Sequence, residues 1–260
     1  MPSKKIMRQY FELANAGDFY DVEYQEKRGD LDFYLRAVER AGGPVLEVGC
    51  GTGRLLLPIA ETGLEVWGVD ISESMLKQLR FKAMKRSLSP CIVQDDMRTF
   101  QLRRRFSLII VPFYAFLHMM TLDDQIKALR NFRRHLNLDG MLILDFFNPS
   151  AHVNPPQDGE PNLDQTLTHP RTGQRFQIWM GVRDDLMAQE CVITQMWEEI
   201  CTNGDVLRRH HRFYTYRWIY QAEFELLLQH VGFSRWSVSG GFDCRPLLEN
   251  DDEMVWRVWR

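Results

Sequence analysis

Residues 45–53, which read VLEVGCGTG, constrain the fold of this chain more than any other stretch. A short apolar run, typical of a buried parallel strand, leads directly into three alternating glycines. The apolar stripe over residues 55–60 then predicts a helix, which Gly63 is placed to end. Pro58 would be the fourth residue of a helix that starts near Leu55, where its missing N–H leaves no intrahelical bond unmade. The stretch therefore predicts a strand, a glycine turn and a helix.

The glycine turn predicts a ligand site, because glycine has no Cβ and lets a ligand approach the backbone. A dinucleotide site needs the pattern GxGxxG, which sets a pyrophosphate on the helix N-terminus, whereas this chain has GxGxG. Glu47 precedes the first glycine by two residues, a position that suits a cationic ligand better than a pyrophosphate. This pattern resembles motif I of the class I S-adenosylmethionine-dependent methyltransferases, whose cofactor carries a sulfonium and an ammonium but no phosphate. The resemblance implies that Glu47 lies at the cofactor, together with the turn residues Gly49, Cys50, Gly51 and Gly53.

A second predicted strand, residues 64–70, ends in Asp70 and is followed by Ile71. An acid at this distance from the glycine turn can accept hydrogen bonds from both ribose hydroxyls of an adenosine. The alternative is that Asp70 only begins the turn into the next helix. Ser72 is the better N-cap for that helix, with Glu73 in its first turn. We therefore expect Asp70 to be free for a ligand, with Ile71 beside it.

A third predicted strand, residues 91–94, is followed by Asp96 and Met97. In the resembled family this place carries an acid that accepts a hydrogen bond from the adenine amino group, and an apolar neighbour that packs on the ring. A solvated pair of acids at a strand end is the alternative. A fourth predicted strand ends at Val111, beside the crevice where open parallel sheets bind their ligands. Val111 is therefore included in the expected cofactor site.

The residues after the fourth strand limit the class of acceptor. DNA and protein-glutamine N-methyltransferases place an Asn- or Asp-Pro-Pro-aromatic motif here to hold a planar amine. This chain has Val111-Pro112-Phe113 instead, so those acceptors are not expected. Asn154-Pro155-Pro156 does occur, but it follows the fifth strand, and we interpret it as a turn.

Alternation of predicted strands and helices continues to residue 147 and predicts an α/β fold with a Rossmann-like, doubly wound, mostly parallel sheet. Over residues 174–220 the apolar period falls to about two, with Asn203-Gly204-Asp205 as a hairpin turn. A helix over 221–231 and strands near 233–238 and 254–259 follow. These suit the antiparallel sixth and seventh strands of the resembled fold. The sequence thus predicts a seven-stranded sheet with an antiparallel β insertion after the fifth strand.

These patterns divide the chain into three parts. Residues 1–41 are expected to form an N-terminal helical cover, broken near Gly17 and Gly29. The methyltransferase core would comprise residues 42–150 and 221–260, and the insertion over the active site residues 151–220. Within that insertion, residues 152–173 are rich in Pro, Asn, Asp and Thr and are expected to form a loop.

Composition limits the number of domains, the classes of partner and the cellular compartment that we expect for this protein. At 260 residues and 45% hydrophobic the chain can bury a full core as one domain. A formal net charge of −3 and a pI near 6.2 give no overall attraction to nucleic acid or to an anionic membrane. The five cysteines are scattered and form no CxxC pair, which favours reduced thiols in the cytoplasm, and no metal site is expected. No signal-peptide pattern and no apolar run of about 18 residues occurs.

Within the family, the chain is similar to the small-molecule branch that includes dTDP-amino-sugar N,N-dimethyltransferases and glycine/sarcosine-type N-methyltransferases. The similarity rests on Tyr20-Asp21 followed by Arg28-Gly29, on the phrase GVDIS over 68–72, and on Phe106-Ser107 leading to His118. It implies that Tyr20 and Arg28 reach the methionine moiety of the cofactor and that His118 lies near the acceptor. His118 has the ordinary pKa of a general base for an amine, although a hydrogen-bonded structural role is the alternative.

The predicted function is methyl transfer from S-adenosylmethionine to a small-molecule acceptor, with an amine favoured over an oxygen. The alternatives are a binding protein that holds the cofactor without transferring methyl, and an RNA methyltransferase, which the charge balance disfavours. The aromatic residues of the insertion could line the acceptor pocket or pack the sheet onto the core. The basic segment 208–212 could bind an anionic substrate or form a solvated hairpin face. The short helical N-terminal segment is compatible with a homodimer.

Overall fold

The computed structural model describes residues 16–24, 29–152, 158–170 and 172–260. Its helices are, in chain order, α1 (Ala16–Glu23), α2 (Leu31–Ala41), α3 (Leu56–Glu61), α4 (Glu73–Lys85), α5 (Leu122–His135), α6 (Pro149–His152) and α7 (Gln221–Val231), with a 3₁₀ helix at Ala115–His118. Its strands are β1 (Val45–Val48), β2 (Val66–Asp70), β3 (Cys91–Gln94), β4 (Phe106–Val111), β5 (Leu136–Phe147), β6 (Asn162–Thr168), β7 (Arg175–Asp185), β8 (Glu190–Ile200), β9 (Val206–Arg217), β10 (Arg235–Ser239) and β11 (Glu253–Trp259).

Seven strands form one sheet in the order β10-β11-β5-β4-β1-β2-β3. The strands from β3 to β5 in that order are parallel, whereas β11 pairs antiparallel with both β5 and β10. Strand order reverses at β1, so the crevice of such a sheet opens at the carboxyl ends of β1 and β4. The predicted fold class, including the antiparallel sixth and seventh strands, is confirmed.

Alternate side chains of the central strands build a separate core on each face of the sheet. Leu46 and Val48 of β1 join a cluster with the apolar faces of α5 and α7. Val45, on the opposite face, packs in a cluster with α2, α3 and α4. All four residues of β1 are buried, which explains the unbroken apolar pattern of a central parallel strand.

The insertion forms a second, four-stranded antiparallel sheet in the order β6-β7-β8-β9. The hairpin turn between β8 and β9 is confirmed, and the Asp205 carbonyl accepts a bond of 2.8 Å from the Cys201 N–H. Residues 152–173 were expected to form a loop, and this expectation is wrong for Asn162–Thr168, which form β6. This strand lies at the edge and is mostly exposed, so it needs a hydrogen-bonding neighbour more than apolar side chains, and β7 supplies that neighbour.

Other local expectations were close but not exact in position. Helix α3 begins at Leu56, so Pro58 is its third residue, still within the first turn. Gly17 is the second residue of α1 as described, so the break predicted near it stays a prediction, whereas Gly29 lies in the turn before α2. Asn154-Pro155-Pro156 lies outside the described residues. The boundaries proposed for the cover, core and insertion stay predictions.

The five cysteines all lie in the described ranges and are free thiols, as expected from their scattered positions. Among the described helices, none combines the length and apolar character that crossing a bilayer would require.

Candidate active site

The glycine turn after β1 combines close packing with open space. Gly49, Gly51 and Gly53 all have positive φ angles, of 76°, 50° and 85°. A Cβ at Gly53 would lie 2.3 Å from Leu79 Cδ1, and one at Gly49 would lie 2.9 Å from the Ala115 Cβ. At Gly51 a Cβ would meet nothing within 4 Å. The outer two glycines are therefore required by packing, and Gly51 leaves room for a ligand.

Asp70 fastens this turn to the end of β2. One carboxylate oxygen accepts the Gly51 N–H and the other accepts the Ser72 N–H, each at 2.8 Å. The expectation that Asp70 is free is thus wrong, although Ser72 is the helix cap as predicted and accepts the Met75 N–H at 3.4 Å. The Ile71 N–H also donates to this carboxylate. A carboxylate has about four acceptor positions, so Asp70 keeps about one for another donor. Burial raises the pKa of Asp70, although the backbone N–H groups oppose that rise.

Glu47 carries a buried acceptor without a donor. Its side chain is 3% exposed, and among the described residues its Oε2 atom has no hydrogen-bond partner. Burial raises the pKa of Glu47 well above its usual value, and the nearby Arg54 charge opposes the rise. Leaving such an oxygen unpaired costs about 1–3 kcal/mol. A cationic donor from a ligand would remove that cost.

Arg54 and Asp30 form an ion pair that sequence reasoning missed. Both guanidinium Nη atoms donate to the Asp30 carboxylate at 2.6 Å, and Asp30 is buried. Arg54 also contacts Tyr20 and lies 5.5 Å from the centre of the Phe113 ring. An arginine directly after the third glycine was the available signal, but its partner lies 24 positions away. The pair links the glycine turn to the segment before α2.

Helix α1 lies on the glycine turn. Asp21 accepts hydrogen bonds from Thr52 Oγ1 at 2.6 Å and from Lys82 Nζ at 2.9 Å. Tyr20 is thereby placed near Arg54 and Glu47, and burial raises its pKa. Its contact with the methionine moiety stays a prediction. Arg28, the other predicted residue of this segment, lies outside the described residues.

Asp96 is engaged by its neighbour Arg98. The Arg98 Nε atom lies 2.9 Å from Asp96 Oδ1, and Arg98 also bonds Asp124 at 2.9 Å. Although burial opposes it, this guanidinium holds the pKa of Asp96 below its usual value. An adenine amino group would share Asp96 with Arg98, and the adenine contact of Asp96 and Met97 stays a prediction.

The remaining predicted cofactor residues lie around the strand ends. Ile71 is 51% exposed beside Asp70, whereas Val111 is fully buried at the end of β4. Cys50 is buried, and its Sγ would lie 2.8 Å from a Cβ built on Gly68. Ile71 can therefore offer an apolar side chain to a ligand, while Cys50 and Val111 have only backbone to offer. Their cofactor contacts stay predictions.

Asp145 of β5 holds the backbone after β4 in an uncommon conformation. Phe113 and Tyr114 have φ angles of 56° and 61°, in the left-handed region that costs bulky residues energy. Asp145 accepts the Phe113 N–H at 3.0 Å, the Tyr114 N–H at 3.3 Å and the Tyr34 hydroxyl. Burial raises the pKa of Asp145 to about 7, the Tyr34 hydrogen bond opposing the rise and the nearby Glu253 adding to it. Sequence reasoning missed this site, because Asp145 stands inside an apolar strand pattern.

His118 lies at the end of the 3₁₀ helix against β9. Its ring centre is 4.7 Å from that of Tyr216, and it hydrogen-bonds the backbone of Thr215. Burial lowers the pKa of His118 to about 4, so the imidazole is neutral at pH 7. A base this weak accepts a proton poorly from an ammonium ion. The general-base role stays a prediction, and the hydrogen-bonded alternative has support from the Thr215 contact.

Aromatic rings from the core and the insertion meet above the carboxyl ends of the strands. Tyr216 lies 6.4 Å from Phe147, Phe147 lies 5.8 Å from Tyr114, and Tyr24 lies 4.8 Å from Phe113 between ring centres. We call these five residues the aromatic enclosure. Other aromatic residues of the insertion serve packing, namely Phe176 and Trp197.

Three residues of the basic segment 208–212 in β9 are paired with carboxylates. Arg209 bonds Glu198 at 2.7 Å, and His210 bonds Glu199 at 3.0 Å. Arg212 pairs with Glu23 of α1 at 3.0 Å. These contacts support a paired hairpin face over an anion-binding site.

Comparison with known proteins agrees with this geometry. Residues 45–140 match the family described as methyltransferase domain. The chain is 26% identical over 216 residues to a putative methyltransferase of Bacillus subtilis, which covers 80% of this chain and 81% of that protein. It is 28% identical over 142 residues to a dTDP-3-amino-3,4,6-trideoxy-alpha-D-glucopyranose N,N-dimethyltransferase of Streptomyces venezuelae, covering 52% of this chain and 58% of that enzyme. The chain thus spans little more than half the length of that second relative.

A solved methyltransferase structure from Streptomyces caelestis superposes with a TM-score of 0.74 and 24% identity, over 92% of this chain and 95% of that one. At this identity the likeness shows a shared fold.

Proposed function

Because this chain is a class I S-adenosylmethionine-dependent methyltransferase, we propose that it methylates an amine nitrogen of a small molecule held in the aromatic enclosure. The Streptomyces venezuelae relative is an amino-sugar N,N-dimethyltransferase, which supports an amine as the acceptor. The conclusion rests mainly on one observation, the meeting of aromatic rings above the carboxyl ends of β4 and β5.

The residues of the glycine turn fit S-adenosylmethionine. Glu47 offers a buried oxygen that lacks a donor, which suits the cofactor ammonium. Gly51 leaves open space, and Asp70 keeps about one acceptor position, which suits a ribose hydroxyl. When bound, the cofactor supplies a methyl group on a sulfonium, which is a good leaving group. The chain must therefore hold an acceptor lone pair in line with that methyl and exclude water.

The aromatic enclosure suits an amine because methylation of a neutral amine produces an ammonium. Aromatic faces stabilise such a cation by about 0.5–2 kcal/mol. Tyr114 additionally donates its hydroxyl to Glu253 at 3.1 Å, which places a carboxylate at the edge of the enclosure. The enclosure therefore favours the charge that develops during N-methylation, which transfer to a hydroxyl would not use.

Asp145 and His118 each contact residues of the aromatic enclosure. Asp145 fixes the backbone that presents Phe113 and Tyr114. Neutral His118 packs on Tyr216 without adding a competing positive charge. Positioning of this kind can contribute about 7 kcal/mol or more to lowering a barrier.

The test is an acceptor screen with labelled S-adenosylmethionine. We expect transfer to members of a panel of amino sugars and small amines, and no transfer to the matched hydroxyl analogues. Tyr216→Phe, which keeps the ring, should retain transfer, whereas Tyr216→Ala should lose it. Transfer to the hydroxyl analogues alone would refute the amine proposal, and cofactor binding without transfer to either set would favour a binding protein.

A further inference from the structure

A cluster of arginines lies at the edge of the seven-stranded sheet opposite the glycine turn. Residues 103–105 directly precede β4, and residues 130–134 lie in the C-terminal part of α5, which leads directly into β5. Arg260 follows β11, which runs antiparallel to β5, so it returns to the same edge. The topology therefore gathers these side chains far from the carboxyl ends of the strands. We call the following set the arginine face: Arg103, Arg105, Arg130, Arg133, Arg134 and Arg260.

The charge of the arginine face is not balanced by ion pairs within the described part of the chain. Within the described ranges, none of its six arginines forms an ion pair, while neighbouring Arg104 pairs with Glu65. Arg134 donates to Asn131 Oδ1 at 2.9 Å, and Arg260 donates to the Leu136 carbonyl at 2.6 Å. The Arg133 Nε atom is buried and lacks an acceptor among those residues. The partners that do exist are neutral, in a chain of net charge −3.

An open cleft of about 480 Å³ lies within this face, which is in the size range of small-molecule sites. Arg103, Arg105 and Arg134 line it, together with Arg104, whose guanidinium is paired with Glu65. His135 also lines the cleft and holds the loop before β4 against α5. One of its ring nitrogens lies 2.9 Å from the Asn131 carbonyl, and the other accepts the Leu102 N–H at 3.1 Å. The arginines are therefore presented by an anchored loop and a helix end.

Helix electrostatics account for only part of the cluster. Cations in the last turn of α5 are favoured by the helix dipole, which explains Arg133 and Arg134. It does not explain Arg105 or Arg260, which come from other elements. Burial and the positive charges of Arg105 and Arg133 lower the pKa of Arg260, as expected where cations converge without an anion.

We propose that the arginine face binds a small polyphosphate anion, separate from the methyl-transfer site. Guanidinium groups bind phosphate oxygens through paired hydrogen bonds, and several such groups around one cleft match more than one phosphate. The site would act independently of the proposed amine acceptor, because it lies at the opposite edge of the sheet.

Calorimetric titration of the full chain with pyrophosphate tests this site. We expect the double variant Arg105→Ala, Arg134→Ala to weaken pyrophosphate binding at least tenfold. Arg80→Ala is the matched control, because Arg80 is exposed on α4 and pairs with Glu73, so its loss should leave the affinity unchanged. Binding of S-adenosylhomocysteine should be equal in all three proteins, which verifies that each is folded.

Further arms identify the ligand. Orthophosphate should bind more weakly than pyrophosphate. Arg105→Lys should keep only part of the wild-type affinity for pyrophosphate, because lysine keeps the positive charge but lacks the paired N–H donors of a guanidinium. If the double variant does not fold, Arg103→Ala, on the exposed loop, replaces it. Absent pyrophosphate binding, an unchanged affinity in the arginine variants, or binding of a single-stranded oligonucleotide alone would overturn the proposal.

Discussion

Replacing Asp145 by asparagine should remove a defined part of the pH dependence of stability. Asp145 is 2% exposed, and burial raises its pKa from 3.8 to about 7. The groups facing it are Tyr34, which opposes the rise, and Glu253 and Asp30, which add to it. Because the folded pKa lies above the unfolded one, folding binds a proton between these two values. The stabilisation is therefore complete below the unfolded pKa and is lost as the pH rises through the folded pKa.

The size of this effect follows from the two pKa values. Between about pH 5 and about pH 8, Asp145 should cost the wild type about 2.5 kcal/mol of unfolding free energy at 25 °C. The amide of the Asp145→Asn variant cannot titrate, so this variant should not show that loss. At low pH the two proteins should be closest in stability, since the carboxyl is then protonated and resembles an amide.

Urea unfolding of both proteins at the two pH values measures this difference. Asp139→Asn is the matched control, because Asp139 is an exposed aspartate of the same strand. Tyr34→Phe offers a second variant, which should move the loss to higher pH because the Tyr34 hydrogen bond lowers the pKa of Asp145. Parallel pH dependences for wild type and Asp145→Asn would refute the reasoning.

Three further predictions concern the glycine turn and His118. Glu47→Gln should weaken S-adenosylhomocysteine binding about tenfold, or about 1.4 kcal/mol, in calorimetric titration. An unchanged affinity would refute the proposal that Glu47 binds the ammonium of the cofactor. Gly53→Ala should lower the free energy of unfolding by about 1–3 kcal/mol in thermal or urea unfolding, because its Cβ would lie 2.3 Å from Leu79. Gly51→Ala should mainly weaken cofactor binding. A larger loss of stability in Gly51→Ala than in Gly53→Ala would contradict these separate roles. Burial lowers the folded pKa of His118 to about 4, so its stabilisation is present above its unfolded pKa and is lost as the pH falls. Between about pH 7 and about pH 4.5, the free energy of unfolding of His118→Asn should therefore fall by about 2 kcal/mol less than that of wild type. Equal decreases in the two proteins would show that His118 is not buried as a neutral ring.

Much of the fold could be predicted from the sequence, because its signals are local. The apolar run before the glycine turn, the Ser72 cap and the Gly204 hairpin each act over a few residues, and the structure contains all three. Strand β6 could not be predicted, because its exposed edge is stabilised by pairing with β7. The role of Asp70 was only partly visible, since its bond to the Gly51 N–H joins the ends of two strands.

The sequence by itself determined the class of sheet and the position of the glycine turn, which depend on hydrophobic period and on residues that lack a Cβ. The cofactor was implied by the resemblance of this turn, with Glu47 before it, to a family motif. Only the tertiary structure decided which buried polar and charged side chains face one another. Tyr34 and Asp145 are 111 positions apart, and Arg54 and Asp30 are 24 apart. Their pairing depends on strand order and helix packing, which bring such groups together in a buried setting where their charges act strongly.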